Sequence, residues 1–127
     1  MAAPFAVTIS QSPLRKENPS MTQAERVLGD IATRLLVEND RVKIWEMDLA
    51  PGEDSDVHEH TMDYILVVIE GDKIAGVPEP DSKGLYNEYI EAEVQPGQYF
   101  YIEKGGIETA RNIGKRRYRE IAIELKD

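Results

Sequence analysis

From residue 31 to residue 125 the chain is a succession of short apolar segments cut by turn residues. That rhythm constrains the fold more than any other feature. The segments cover residues 31–37, 41–49, 56–60, 64–69, 73–77, 86–94, 98–102, 107–113 and 117–125. Between them stand Asn39-Asp40, Pro51-Gly52, Glu70-Gly71-Asp72, a loop marked by Pro78, Pro80 and Gly84, then Pro96-Gly97 and Gly105-Gly106. Apolar runs of this length bounded by Gly, Pro and Asx read as strands. Within 41–49 the residues alternate, so Trp45, Met47 and Leu49 share one side and Val42 and Ile44 the other. The expectation is an all-β sandwich or barrel.

The first 20 residues read differently. Pro4, Pro13 and Pro19 punctuate them, and their one apolar patch is residues 5–9, which predicts an arm rather than a folding unit. Ser20 and Gln23 have the spacing of a capping box, predicting a short helix over residues 22–28 that Gly29 ends. The division expected is an arm over 1–20 and one domain over 21–127, since 127 residues suit a single core.

Charge and composition exclude several classes. A net charge of −9 argues against nucleic acid as partner, because phosphate binding needs clustered cations. The one basic cluster, Lys115-Arg116-Arg117, sits where a hairpin tip is expected. With no cysteine there is no disulfide, thiolate ligand or thiol nucleophile. No apolar run is long enough to span a bilayer, and no leader pattern opens the chain, so a cytoplasmic protein with no membrane partner is expected. Glycine-rich phosphate loops and nucleophile elbows are also missing from the sequence.

The chemistry gathers at His58 and His60, the only histidines of the chain. In an extended segment residues two apart face the same way, so both imidazoles can reach one ion. Gly52 precedes His58 by six positions and Gly71 closes the next strand. This run resembles the first motif of the cupin superfamily: Gly, five residues, His-x-His, three or four residues, Glu, six residues, Gly. Every position fits except the glutamate slot, which holds Tyr64; Asp63 is one residue early and faces the other way unless a bulge re-aims it. Residues 97–112 resemble the second motif, with Gly97, Gly105 and Asn112 in register. Its proline slot holds Glu103 and its histidine slot holds Glu108.

The resemblance implies a cupin-type jelly roll preceded by a short helix, with the motif residues projecting into the barrel near one mouth. It implies a metal site of His58, His60 and Glu108, with Tyr64 as a catalytic group at its edge. Two imidazoles and one carboxylate are the composition of the non-haem iron facial triad, so one divalent ion is expected, Fe(II) ahead of Zn, Mn or Ni. Asp56, on the face of His58, is a candidate to orient it. Arg111 alternates away from Glu108 and is expected outward. Tyr99 with Tyr101, and Trp45 with Met47, are expected in the core or lining an apolar pocket. The functional expectation is a metal-dependent enzyme, a dioxygenase foremost, acting on a small organic molecule inside the barrel. The alternative is a non-enzymatic small-ligand-binding module, metal-free or with a structural metal. Segments 64–69 and 98–102 are apolar on both faces, which predicts a homodimer.

Overall fold

Ten antiparallel strands form two five-stranded sheets in the computed structural model of the chain, which describes residues 6–7, 26–84 and 87–127. In chain order they are β1 (Ala6–Val7), β2 (Arg34–Glu38), β3 (Val42–Leu49), β4 (His58–Glu59), β5 (Tyr64–Glu70), β6 (Lys73–Pro78), β7 (Ile90–Glu93), β8 (Tyr99–Ile102), β9 (Ile107–Asn112) and β10 (Tyr118–Leu125). The first sheet has the order β1-β7-β6-β9-β4 and the second β2-β3-β10-β5-β8. The chain therefore crosses repeatedly between sheets, as a jelly roll requires.

The four glycines with positive φ are Gly52, Gly71, Gly97 and Gly105, which are the four motif glycines noted above. Gly71 shows why the position is fixed. At φ 138° it turns β5 into β6, and a Cβ built there would lie 2.7 Å from the ring of Tyr118. Only glycine allows both the backbone angle and that approach. Asn112, fully buried, ties the turn between β9 and β10: its Nδ2 donates to the carbonyls of Leu49 and Arg116, and its Oδ1 accepts from the Gly114 amide.

The core lies between the sheets. Trp45, Met47, Leu49, Val68, Phe100 and Ala122 come from the second sheet, and Ala92 from the first. Trp45, Met47 and Leu49 face inward together, as alternation predicts. Several expectations change. The segment 31–37 becomes a strand only at Arg34, while Ile31 and Ala32 are core residues ahead of it. The strand expected at 56–60 shortens to His58–Glu59, because Gly105-Gly106 takes over the pairing: His60 N–H donates to Gly106 O and accepts at its own carbonyl from Gly105 N–H. The segment 86–94 is a strand over Ile90–Glu93. Of the helix expected over 22–28, residues 22–25 lie outside the described residues, and Arg26–Leu28 are not helical. Within the arm, Ala6 and Val7 pair with Glu91 and Ile90 of the same chain. Tyr99 and Tyr101 line neither core nor pocket; they are 71% and 57% exposed on the outer face of the second sheet. No helix among the described residues is long and apolar enough to cross a membrane.

Candidate metal centre

His58 lies on the edge strand β4 and Glu108 on its neighbour β9, directly paired in register. Opposed residues on adjacent strands share a face, so the carboxylate is delivered to the imidazole by the sheet itself. His60 follows one residue past β4, anchored by the two hydrogen bonds to Gly105-Gly106. Nε2 of His58 stands 3.8 Å from Oε2 of Glu108, and Nε2 of His60 stands 3.5 Å from the same oxygen. Ligand atoms of all three residues fall within 4.8 Å of one another. Bonds of ~2.1 Å place neighbouring ligands of one ion roughly 3.0–3.5 Å apart, so the two contacts to Glu108 are near that range and the widest pair must close by about 1.3 Å or more. The donor set fits a divalent metal.

Both imidazoles are buried, whereas the Glu108 side chain keeps 26% exposure. The ring of His58 is oriented by a 2.8 Å contact between Nδ1 and the main-chain oxygen of Asp56. The expected partner was therefore right as a residue and wrong as a group, since the Asp56 side chain is exposed. His60 packs edge-on to His58 with ring centres 4.8 Å apart, and lies flat on Tyr64 at 4.0 Å. Its Nδ1 is buried without a hydrogen-bond partner among the described residues.

The electrostatics follow from this packing. Burial would raise the Glu108 carboxyl, but the imidazoles of His58 and His60 close to its oxygen outweigh it and hold Glu108 ionised well below the usual range. For His58 burial works to lower the pKa; the nearby Glu108 carboxylate and the contact with Asp56 O win, and the net shift is upward. Asp63 is not part of the site. It accepts from the Tyr101 hydroxyl and the Lys104 amide on the outer face, as its position one residue early implies. Arg111 also points away, forming a two-pronged pair with Asp54 at 2.8 and 3.0 Å.

A cavity of about 110 Å³ opens beside these groups. Its walls are mainly apolar, with Met47, Leu66, Phe100 and Ala122 from the second sheet and Ala75 and Ala92 from the first. Tyr64, Tyr118 and Glu120 also line it. Glu120 is the residue that sequence reasoning missed. It is 6% exposed, accepts a short hydrogen bond from the Tyr118 hydroxyl, and is pushed up to about 7. Burial is the main cause, opposed by the Tyr118 hydrogen bond and aided by the charge of Glu108. The available signal was alternation along β10, which puts Tyr118, Glu120, Ala122 and Glu124 on one side.

A cupin domain from Bordetella pertussis Tohama I superimposes with TM-score 0.63 at 20% identity, over 74% of this chain and 91% of that one. An RmlC-like cupin with a double-stranded β-helix fold from Methanocaldococcus jannaschii matches at TM-score 0.56 and 17% identity, over 83% and 94%. The fold is that of the cupins. Among further cupin-fold neighbours is an oxalate oxidase, at TM-score 0.52 and 24% identity, over 67% of this chain and 42% of that one. This chain thus spans less than half of that enzyme. No protein-family model and no curated protein matches the sequence. In cupin terms, the two histidines of the first motif and the residue in the histidine slot of the second converge here, and Tyr64 in the vacated glutamate slot stacks against His60.

Proposed function

We propose that the protein is a divalent-metal-dependent enzyme acting on a small organic molecule in the barrel cavity, with dioxygenation the foremost reaction. The observation that carries this reading is the convergence of His58, His60 and Glu108 at one side of an apolar cavity. Two neutral imidazoles and one carboxylate make a ligand set that leaves coordination positions open. A bound ion there supplies Lewis acidity, and oxygen activation where the ion is Fe(II).

The chain's own groups do the rest. Asp56 O holds the His58 ring with Nε2 toward Glu108, and Tyr64 braces the His60 ring from its face. The apolar walls exclude water from the substrate, which strengthens every charge interaction in the cavity. Tyr64 is assigned the role of proton donor to the substrate from its phenol oxygen.

Metal analysis of tag-free protein tests the reading. Near-stoichiometric metal that is lost in His58→Ala is expected, and loading should fall as pH drops, because each imidazole must shed its proton to ligate. Metal-free protein whose stability His58→Ala leaves unchanged would replace the enzyme with a ligand-binding module. Tyr64→Phe should keep the metal and reduce turnover.

A further inference from the structure

Charged groups are distributed unevenly around the cavity. Among the described residues that line it there is no lysine and no arginine; its charged side chains other than the histidines are Glu103, Glu108 and Glu120. Glu103 is exposed, while Glu108 and Glu120 stand within the lining together with His58, His60, Tyr64 and Tyr118. The remaining lining is aliphatic, aromatic or glycine. Resting on the assignment of this cavity as the substrate site, we infer that its ligand is a neutral, largely apolar molecule carrying one hydroxyl or carbonyl group, and that carboxylate and dicarboxylate substrates are rejected.

The physical case is one of charge and space. A carboxylate brought into an apolar cavity needs a cation or several donors to replace its water, and the lining offers no lysine or arginine while already holding carboxylates of its own. A divalent ion does not reverse this. Held by two neutral imidazoles and Glu108 it would retain one positive charge, and Glu120 in the same lining would offset that charge to the extent that it is ionised. An anion entering the cavity would therefore find less than one net positive charge to compensate it. A neutral carbonyl or hydroxyl costs far less to desolvate, and the polar cluster provides both donors and acceptors for it. Size agrees: an apolar cavity of roughly 150 Å³ takes a benzene ring, so about 110 Å³ suits a short branched chain or a small ring.

Three probes with the same number of non-hydrogen atoms separate charge from size: 2-pentanone, butyrate and oxalate. Binding is read by ligand-observed NMR and titration calorimetry on the Zn(II)-reconstituted protein and on the same protein after chelation. We expect 2-pentanone to saturate with a dissociation constant on the order of 1 mM and to bind at least about tenfold tighter than either anion. Butyrate or oxalate binding as tightly as 2-pentanone, or 2-pentanone failing to saturate, overturns the inference. Ala92→Leu fills the cavity and should abolish 2-pentanone binding; Ala110→Val is the milder substitution should the first not fold. Binding that survives both places the ligand elsewhere and also overturns it. Glu120→Gln should bring butyrate closer to 2-pentanone, and unchanged discrimination removes the charge argument. Metal content is measured separately, so protein that holds no Zn(II) yet prefers 2-pentanone defeats the metal reading and leaves this one standing. Zn(II)-loaded protein that prefers oxalate does the reverse.

Discussion

The two walls of the barrel are built to different ends. The first sheet contributes His58 and Glu108 from β4 and β9, and Ala75, Gly76, Ala92 and Ala110 face the cavity from it beside Ile74 and Ile90. The second contributes bulk, with Trp45, Met47, Leu49 and Val68 buried on the interior strands β3 and β5 and Phe100 on the edge strand β8. The candidate ligands of the sheets sit on one wall, where four small residues leave room beside them, and the opposite wall supplies most of the buried apolar area. Substitutions on the packing wall should therefore cost stability and spare the metal, while those on the ligand wall should do the opposite.

The largest expected effect is on the packing wall. Leu49 is 3% exposed in the core and does not line the cavity. Leu49→Ala should destabilise by about 2–5 kcal/mol in denaturant unfolding, through lost burial and the cavity left behind. Metal stoichiometry of the folded fraction should be unchanged. A variant that folds normally but loses metal would collapse the distinction between the walls.

Next comes the ligand wall. Glu108→Gln preserves shape and removes the charge, and metal affinity should fall on the order of 100-fold, about 2.7 kcal/mol. Asp63→Asn, on the outer face, should change affinity little. If Glu108→Gln binds metal like the parent, the carboxylate ligand is wrong.

Glu120 sharpens the comparison because it is an acid on the packing wall. Its folded pKa of about 7 lies above the ordinary carboxyl value of 4.5. The folded state then holds the proton more tightly than the unfolded chain, so this stabilising contribution is complete below pH ~4.5 and is lost as pH rises through ~7. In chelated protein Glu120→Gln should remove that loss, gaining roughly 1–3 kcal/mol at pH 8 and much less at pH 5. Equal effects at both pH values would mean that Glu120 is not a buried acid of this kind.

Legibility in the sequence followed the same division. Motif glycines were readable because positive φ leaves almost no other choice, and Gly52, Gly71, Gly97 and Gly105 all carry it. His58 and His60 could be set on one face from their spacing alone, whereas Glu108 was placed beside them by the resemblance of residues 97–112 to the second cupin motif. β10 was not. Its sequence Tyr-Arg-Glu-Ile-Ala-Ile-Glu-Leu has one face with Ile121, Ile123 and Leu125, and hydropathy alone would turn that face inward. The structure buries Tyr118, Glu120, Ala122 and Glu124 instead. Glu124 is accepted inside because Trp45 Nε1 donates to it at 2.8 Å, and Glu120 because Tyr118 does. The Trp45 partner lies 79 residues away, and although Tyr118 is only two positions from Glu120, alternation by itself does not choose between the faces.

That inversion leaves an apolar outer face on the second sheet, and from it comes the prediction with the smallest effect on folding. Register aligns Val37, Ile44, Ile123, Ile65 and Tyr101 in one row across all five strands, with Ile121, Val67 and Tyr99 beside it. Val37, Tyr99 and Tyr101 are 47%, 71% and 57% exposed. Charged groups bordering the row are already paired within the chain: Arg34 and Arg119 with Glu46, Arg117 with Asp48, Lys126 with Glu38. The face therefore offers apolar surface without an unmet charge to select a foreign partner. A second copy, presenting the same neutral row about a two-fold axis, is its natural complement, and we propose a homodimer through this face. Ile65→Lys places a charge in the middle of the row, where in a monomer the ammonium reaches water and costs the fold less than about 1 kcal/mol. Light scattering at micromolar concentration should give a dimer mass for the parent and a monomer mass for the variant. A parent that is already monomeric ends the proposal, and a variant that remains dimeric moves the contact to another face.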